Sequence, residues 1–473
     1  MLSDGKNFEC STNIYVKSVL FAGAFLAFCF VVLFSPQVGG GGEDVGFIAL
    51  AALIFFSFIF SLGCISERLY WLGAPFVIIF TPNAVNDFLP SAQMGEGGAP
   101  FFSYFTHVDI YLFMGLLRYC DFRKGQKPWL MVCVFSVFSL LVLSLSVAVT
   151  REYGWVVAWG SYQLRYFLLL LLLFVYASPM EYEKFFSYSF IFALLLVGLE
   201  ASVFTYLTSA ERLGSGNYGV NTLGHLLAAG AAVSFIFPFK SRLFGKELFF
   251  LVGCLLVFAV YLTGTRFSLA ALGMAGAVLF IIRYGALRGM LAAVLACVCF
   301  SFIFFNYVPA GVSAWEGLSI VGRDYSDPGS ILVTPESSSM VTRLVLWWGT
   351  LGMIEAFPVF GGGAGMWAFL KGEFGIPFEA VLDPHQDILN YLFSYGLLGG
   401  GLFFIFVFLW PVFKAYLHRS DSRVRWHWIF FMLVFIVAGV SNAVTWKHQI
   451  AAIFYYASLM SLFSLSGRSI KHA

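Results

Sequence analysis

DPHQDILNYLFSYGLLGGGLFFIFVFLW, residues 383–410, joins a polar start to a long apolar run. No residue from Ile388 to Trp410 carries a charge, and a run of that length suits the roughly 20 residues a helix needs to cross a bilayer. The residues before it read as that helix's start: Asp383 suits the N-cap, Pro384 the first helical position and Gln386 the third position of a capping box. His385 then falls in the first turn, where the helix dipole disfavours an imidazolium. A neutral histidine there can take a proton, as a general base must. The alternative is a histidine that only lines the interface, and spacing alone slightly favours it.

The rest of the chain has the same character. Of its 473 residues 60% are apolar and 11% charged, against roughly 25% charged in soluble domains, which excludes a soluble globular enzyme. The aromatic share of 19% and the net charge of +2 exclude a nucleic-acid binder and a disordered tail. Fourteen apolar runs bounded by charges, prolines or glycines stand as candidate spans: 18–34, 45–63, 68–80, 102–119, 128–149, 161–177, 185–204, 220–238, 246–263, 267–282, 288–307, 387–413, 428–445 and 448–465. The third is short enough for a re-entrant segment. The expected fold is an all-α polytopic integral membrane protein with about 12–14 transmembrane helices. Residues 1–307 form an N-terminal region of about 11 spans, 308–386 a long outer loop, and 387–473 a C-terminal region of about 3 spans.

Cytoplasmic loops should hold the Lys and Arg. With the N-terminus inside, 19 of the 27 cations fall on the inner side, including Arg118, Arg123, Lys124, Lys127, Lys414, Arg419, Arg423 and Arg425. The outer side keeps Arg151, Arg212, Arg266, Arg323, Arg343, Lys371 and Lys447, and Arg165 lies within a span. Both termini are therefore expected in the cytoplasm. The first run is followed by no small-residue cleavage site and reads as an uncleaved anchor. Cys29, Cys133, Cys254, Cys297 and Cys299 lie in spans and Cys10, Cys64 and Cys120 at or near the inner side, so neither a disulfide nor a thiolate metal site is expected.

The outer loop departs from the pattern of short connections, and long loops in compact domains are usually functional. Within it Thr342–Phe357 (TRLVLWWGTLGMIEAF) has helical spacing with one apolar face, as a helix lying along the membrane surface would. No internal repeat is present.

Ionisable groups inside spans are functional candidates by default. Here they gather at the outer ends: His107 and Asp109, Arg165, Glu200, His225 and Arg266. Each alone could snorkel or pair structurally, Arg165 with Glu200 for instance. Together they describe an outward-facing polar cavity, whereas a transporter needs polar groups near the midplane. The outer arginines occupy distinct settings: Arg212 before Asn217 and Asn221, Arg266 after Gly264-Thr265, and Arg343 at the head of the amphipathic segment. Guanidinium forks match phosphate oxygens and stay charged, so three of them could hold a diphosphate without a metal ion. Headgroup contact is the alternative, expected for Arg323 and Lys371 more than for Arg266. The glycine clusters 39–42, 361–363 and 399–401 lack a following Lys-Ser/Thr and read as turns and close packing. Asp383, His385 and Asp387 lack a nearby second histidine pair, so no metal is expected.

Pro384-His385-Gln386-Asp387-Ile388-Leu389-Asn390-Tyr391-Leu392, followed by Tyr395-Gly396-Leu397-Leu398-Gly399, resembles the His-containing motif of O-antigen ligases and related polymerases. Thr342-Arg343-Leu344 through Trp347, with Phe357-Pro358-Val359-Phe360-Gly361, resembles that family's segment just before the histidine. Thr263-Gly264-Thr265-Arg266 resembles its Arg-bearing span start, and Arg212 with Asn221 an earlier Arg-to-Asn stretch. The likeness covers roughly residues 210–410 in the family's order. The family's usual Ser-Arg is Thr265-Arg266 here and its His-Asn is His385-Gln386.

The resemblance implies a GT-C-type glycosyltransferase of the bacterial inner membrane. It would use no cofactor and would take a glycan from undecaprenyl diphosphate on the periplasmic face. It implies His385 as base on the acceptor hydroxyl and Arg212, Arg266 and Arg343 as diphosphate ligands; Arg165, Glu200, Asn221, His225 and Asp387 stand beside them as candidate supporting residues. The expected partners are the lipid-linked glycan, membrane lipids, and an acceptor that is a growing glycan, lipid A core or a protein hydroxyl, with no nucleic acid. The absence of a further soluble domain after the last span favours a surface-polysaccharide ligase or polymerase over a pilin-type O-oligosaccharyltransferase. A lipid-linked glycan flippase or exporter is the rival from another class.

Overall fold

The computed structural model describes residues 58–79, 107–120, 153–177, 179–209, 212–214, 220–237, 246–285, 339–376, 383–445 and 448–466, with 290 and 294. The expected spans 18–34, 128–149 and nearly all of 288–307, most of 45–63, Asn217, residues 308–338 with Arg323, and the side chains of His107 and Arg266 lie outside the described residues. Among the described residues the structure is all helix with no strand, as the composition predicts. Helical stretches Pro179–Tyr206, Phe267–Tyr284 and Asp387–Leu417 are long and apolar enough to cross a membrane, and shorter apolar helices accompany them.

The helices used below are α1 Glu67–Ile79, α2 His107–Tyr119, α3 Tyr153–Tyr176, α4 Glu183–Thr208, α5 Val220–Ile236, α6 Lys246–Leu262, α7 Arg266–Tyr284, α8 Ser339–Ala356, α9 Asp387–Phe404, α10 Trp410–Leu417, α11 Trp426–Ala438 and α12 His448–Ser466. They divide between two compact units. The first holds α1, α2, the Arg165–Tyr176 part of α3 and most of α4; the second holds α5 to α12 and the Arg212–Gly214 segment.

In the first unit, α1 and α2 are joined through aromatics. The Tyr70 and Tyr111 rings stack at 4.6 Å. Tyr111 Oη donates to the Tyr70 carbonyl at 2.6 Å and Tyr70 Oη to the Tyr111 carbonyl at 3.3 Å. Gly115 and Gly73 leave the space those rings occupy. The third apolar run, read as short, forms α1 of 13 residues.

In the second unit, α5 is the hub, packed by α6, α7 and α11, with α12 beyond α11. Its buried row Gly224, Ala228, Ala229, Gly230, Ala231 and Ala232 explains why: without a hydrophobic force between helices in lipid, small residues let backbones approach. At Gly224 an added Cβ would lie 2.8 Å from Thr265 on the connection into α7.

The run 387–413, expected as one span, lies in a stretch long and apolar enough to cross a membrane but is broken inside. Gly396 has φ 72, and the chain turns back there. Tyr391 consequently meets the Phe403 ring at 5.5 Å and the Phe408 ring at 5.7 Å, whereas in a straight helix Tyr391 and Phe403 would stand roughly 18 Å apart. The Pro358–Gly362 loop fills the break: Leu397 and Leu398 N–H donate to the Pro358 and Val359 carbonyls at 2.8 and 3.2 Å, and Gly362 N–H donates to the Phe393 carbonyl at 2.7 Å. Gly361, at φ 83, lies against the Phe393–Gly396 backbone, and Gly400 against the Tyr391 carbonyl. The glycine clusters 361–363 and 399–401 thus serve as a turn and a close approach, and 39–42 lies outside the described residues. Hydropathy registers the length of a run but not one residue's φ, so the break was hidden.

Candidate functional site

Arg212 and the start of α7 meet at one end of the α5–α7 pair. Arg212 Nε donates to the Thr263 carbonyl at 2.8 Å, and Leu213 N–H to the Leu262 carbonyl at 3.0 Å. This segment is therefore stitched to the turn that leads into α7, whose first residue is Arg266. Gly264 makes the turn possible: φ is 65, and Arg212 Nε stands 2.9 Å from where a Cβ would be. The Thr263 hydroxyl accepts from Thr265 N–H at 3.2 Å, and Thr265 Oγ1 donates to the Val220 carbonyl at 3.3 Å. Exposed Asn221 follows Val220 on α5, at the same end.

His225 lies buried one turn further along α5, with Nδ1 2.9 Å from Ser268 Oγ of α7. The Arg343 charge is within electrostatic reach of this ring. Arg343 itself is half-buried near the start of α8, and that burial lowers its pKa from the ordinary value. The α8 helix appears over the expected segment, with Val345, Leu346 and Met353 buried. Its inner face packs on protein: on α9, and through Thr350 Oγ1, which accepts from Trp367 Nε1 at 2.8 Å.

At residues 383–386 the structure corrects the capping box. The helix begins at Asp387, with Gln386 at the N-cap and no side-chain cap bond. Asp383 Oδ1 instead accepts from His385 N–H at 2.7 Å and lies 2.8 Å from His385 Nδ1. An Asp carboxylate readily binds the backbone two residues on, in competition with helix formation. His385 accordingly sits outside the helix in the left-handed region, at φ 51, a conformation that costs a non-glycine residue roughly 1–2 kcal/mol. Because the carboxylate can only accept, Nδ1 is the donor, and the neutral ring keeps its lone pair on Nε2. The side chain is 38% exposed.

Asp387 is placed otherwise. Its carboxylate accepts from Thr445 N–H at 3.1 Å and Thr445 Oγ1 at 2.8 Å, and its own N–H donates to the Gly439 carbonyl at 2.9 Å. Tyr391 Oη lies 3.4 Å from Thr445 Oγ1 and 3.0 Å from Tyr455 Oη. Asp387 thus anchors the start of α9 to the α11–α12 connection. In the first unit, Arg165 Nε meets Asp109 Oδ1 at 2.7 Å, and half-exposed Glu200 lies on α4.

Sequence reasoning named His385, His225 and Asp387 without their partners. Asp383, two residues from His385, could have been found from its tendency to form a local turn. Thr445 and Ser268 are 58 and 43 residues distant from the groups they meet, and no local pattern marks them.

Residues 250–404, about a third of the chain, match the family model described as O-antigen ligase. Arg266, Arg343 and His385 fall inside the match; Arg212, Asn221 and His225 precede it. No curated protein matches the chain. The match supports glycan transfer of the O-antigen ligase type and, with the apolar helices, a multi-pass membrane protein.

Proposed function

We propose that this chain, with its O-antigen ligase match at residues 250–404, is an inverting, metal-independent glycosyltransferase of the bacterial inner membrane. It has a GT-C-like fold and an active site on the periplasmic face. It transfers a glycan from undecaprenyl diphosphate to an acceptor hydroxyl, as a surface-polysaccharide ligase or polymerase. The observation that carries this reading is the Asp383–His385 pair, 2.8 Å apart, on a partly exposed histidine.

In the mechanism, His385 Nε2 takes the proton of the acceptor hydroxyl while Asp383 holds the ring and steadies the imidazolium that forms. The freed oxygen attacks the anomeric carbon. The bond from that carbon to the diphosphate oxygen breaks on the opposite face, and undecaprenyl diphosphate leaves with the electron pair. Arg212, Arg266 and Arg343 neutralise the leaving charge, so a general acid is dispensable. The approach of Arg212 to the start of α7 supports a shared anion site there.

The test incubates purified protein with an undecaprenyl-diphosphate-linked repeat unit and resolves the products on a gel. His385→Ala should cut transfer by roughly 10²–10⁴-fold; undiminished transfer by a folded variant removes the histidine's role. A ladder without added acceptor marks a polymerase, and transfer only once lipid A core is present marks a ligase. Transfer only to a pilin hydroxyl makes the chain an O-oligosaccharyltransferase, and inertness with every acceptor returns the flippase reading. Arg266→Ala should weaken donor use more than Arg323→Ala does; equal effects count against the diphosphate site.

A further inference from the structure

The first half of α9 carries polar atoms that this mechanism leaves idle. Gln386 Oε1, Asn390 Oδ1 and Ser394 Oγ are shut off from solvent, and among the described residues none has a hydrogen-bond partner. Asn390 is 2% exposed and Ser394 1%. The three positions are four residues apart and so line one face of the helix. On α8, which packs against α9, the Trp347 indole nitrogen is a fourth such atom.

Burying an amide or hydroxyl without a partner costs roughly 1–3 kcal/mol, and native proteins keep few. The same half-helix satisfies its other polar groups, Asp387 through Thr445 and Tyr391 through Tyr455. Its unpaired row is therefore a feature of one face. All four groups are neutral and offer both donors and acceptors, which suits sugar hydroxyls better than phosphate or carboxylate. From Gln386 to Ser394 the row extends roughly 12 Å along the helix, long enough for more than one sugar ring. It begins at the residue next to His385.

We propose that the Gln386–Asn390–Ser394 face is a subsite for the acceptor glycan, holding the hydroxyls of a neutral sugar segment so that its terminal hydroxyl meets His385. The inference rests on the glycosyl-transfer reading above and deepens it, since it makes the acceptor a glycan and not a protein side chain. Because the atoms are closed off from solvent, the glycan enters by loosening the packing around this face. Hydrogen bonds from the glycan then replace the ones the protein lacks.

The experiment uses the full chain in nanodiscs, with Asn390→Leu and Ser394→Ala. The probes are two oligosaccharides released by mild acid, the repeat unit and the lipopolysaccharide core. Removing a buried unpaired atom should leave the melting temperature without sugar unchanged or raised. The same change should raise the KM for the glycan acceptor at least tenfold, leave the KM for the lipid-diphosphate donor unchanged, and abolish stabilisation by the free oligosaccharide. A lowered melting temperature with an unchanged acceptor KM makes the row a packing feature and overturns the subsite. So does an equal rise in the donor KM. Normal acceptor kinetics in both variants, with an active wild type, sinks the subsite and leaves the transferase reading standing. Oligosaccharide stabilisation that is lost in the variants, from a wild type inert with every acceptor, sinks the transferase reading and keeps the sugar site.

Discussion

The tyrosines that join α1 to α2 and the Gln386–Asn390–Ser394 row of α9 are polar groups buried to opposite ends. Between α1 and α2, Tyr70 and Tyr111 exchange hydrogen bonds with each other's backbones, and near the start of α2 Asp109 takes Arg165 at 2.7 Å. Along α9, one face is closed in the same way by Asp387, Thr445, Tyr391 and Tyr455, while Gln386, Asn390 and Ser394 keep atoms without partners. Inside a bilayer no water rescues such a group. A satisfied group fixes one helix against another; the unsatisfied row on α9 is where the acceptor glycan is proposed to bind.

The contrast can be broken most forcefully at Asp109. Asp109→Leu strips Arg165 of its carboxylate and should lower stability by about 3–5 kcal/mol, the cost of breaking a buried pair, without changing the acceptor KM of the protein that still folds. A changed acceptor KM at intact stability would place Asp109 among the acting groups. Next comes Gly396→Ala, which introduces a Cβ against the Val359 carbonyl at φ 72. Strain and overpacking together predict a loss of roughly 2–4 kcal/mol, read as a lowered denaturation midpoint. A neutral substitution would mean that the break in α9 closes. Tyr111→Phe leaves the Tyr70 carbonyl short of a donor and should cost about 1–3 kcal/mol, again with transfer per folded molecule intact.

The smallest effect lies at the exposed α10–α11 turn, where Arg423 side-chain and backbone bonds hold the Asp421 carboxyl down at about 2. The folded value is depressed, so the contribution is present above the unfolded value near 3.8 and is lost as pH falls towards about 2. Thermal melts should show wild type more stable than Asp421→Asn at pH 6, with the gap closing on acidification. A gap independent of pH would assign the difference to packing.

Much of this was legible in order and little of it in pairing. The apolar runs announced α4, α5, α7 and α12, because bilayer-length hydropathy is a local property. Arg212, Arg266 and Arg343 were singled out by their settings, and the fold ties Arg212 to the turn before α7 through Thr263. The Asp383–Gln386 stretch was read as a cap because Asp, Pro and Gln stand at the right intervals, yet the Asp383 carboxylate serves His385. Two local motifs competed for one side chain, and spacing cannot say which wins.

By itself the sequence determined that the chain belongs in a membrane, that it is helical, and which arginines and which histidine are candidates for chemistry, since these follow from composition and near-neighbour order. Only the tertiary structure decided that α9 turns back at Gly396, that Asp387 belongs to Thr445 and His225 to Ser268, and that one face of α9 holds atoms without partners among the described residues. Those outcomes depend on a single backbone angle and on contacts between residues tens of positions apart. Chain order does not encode such contacts until the helices are packed.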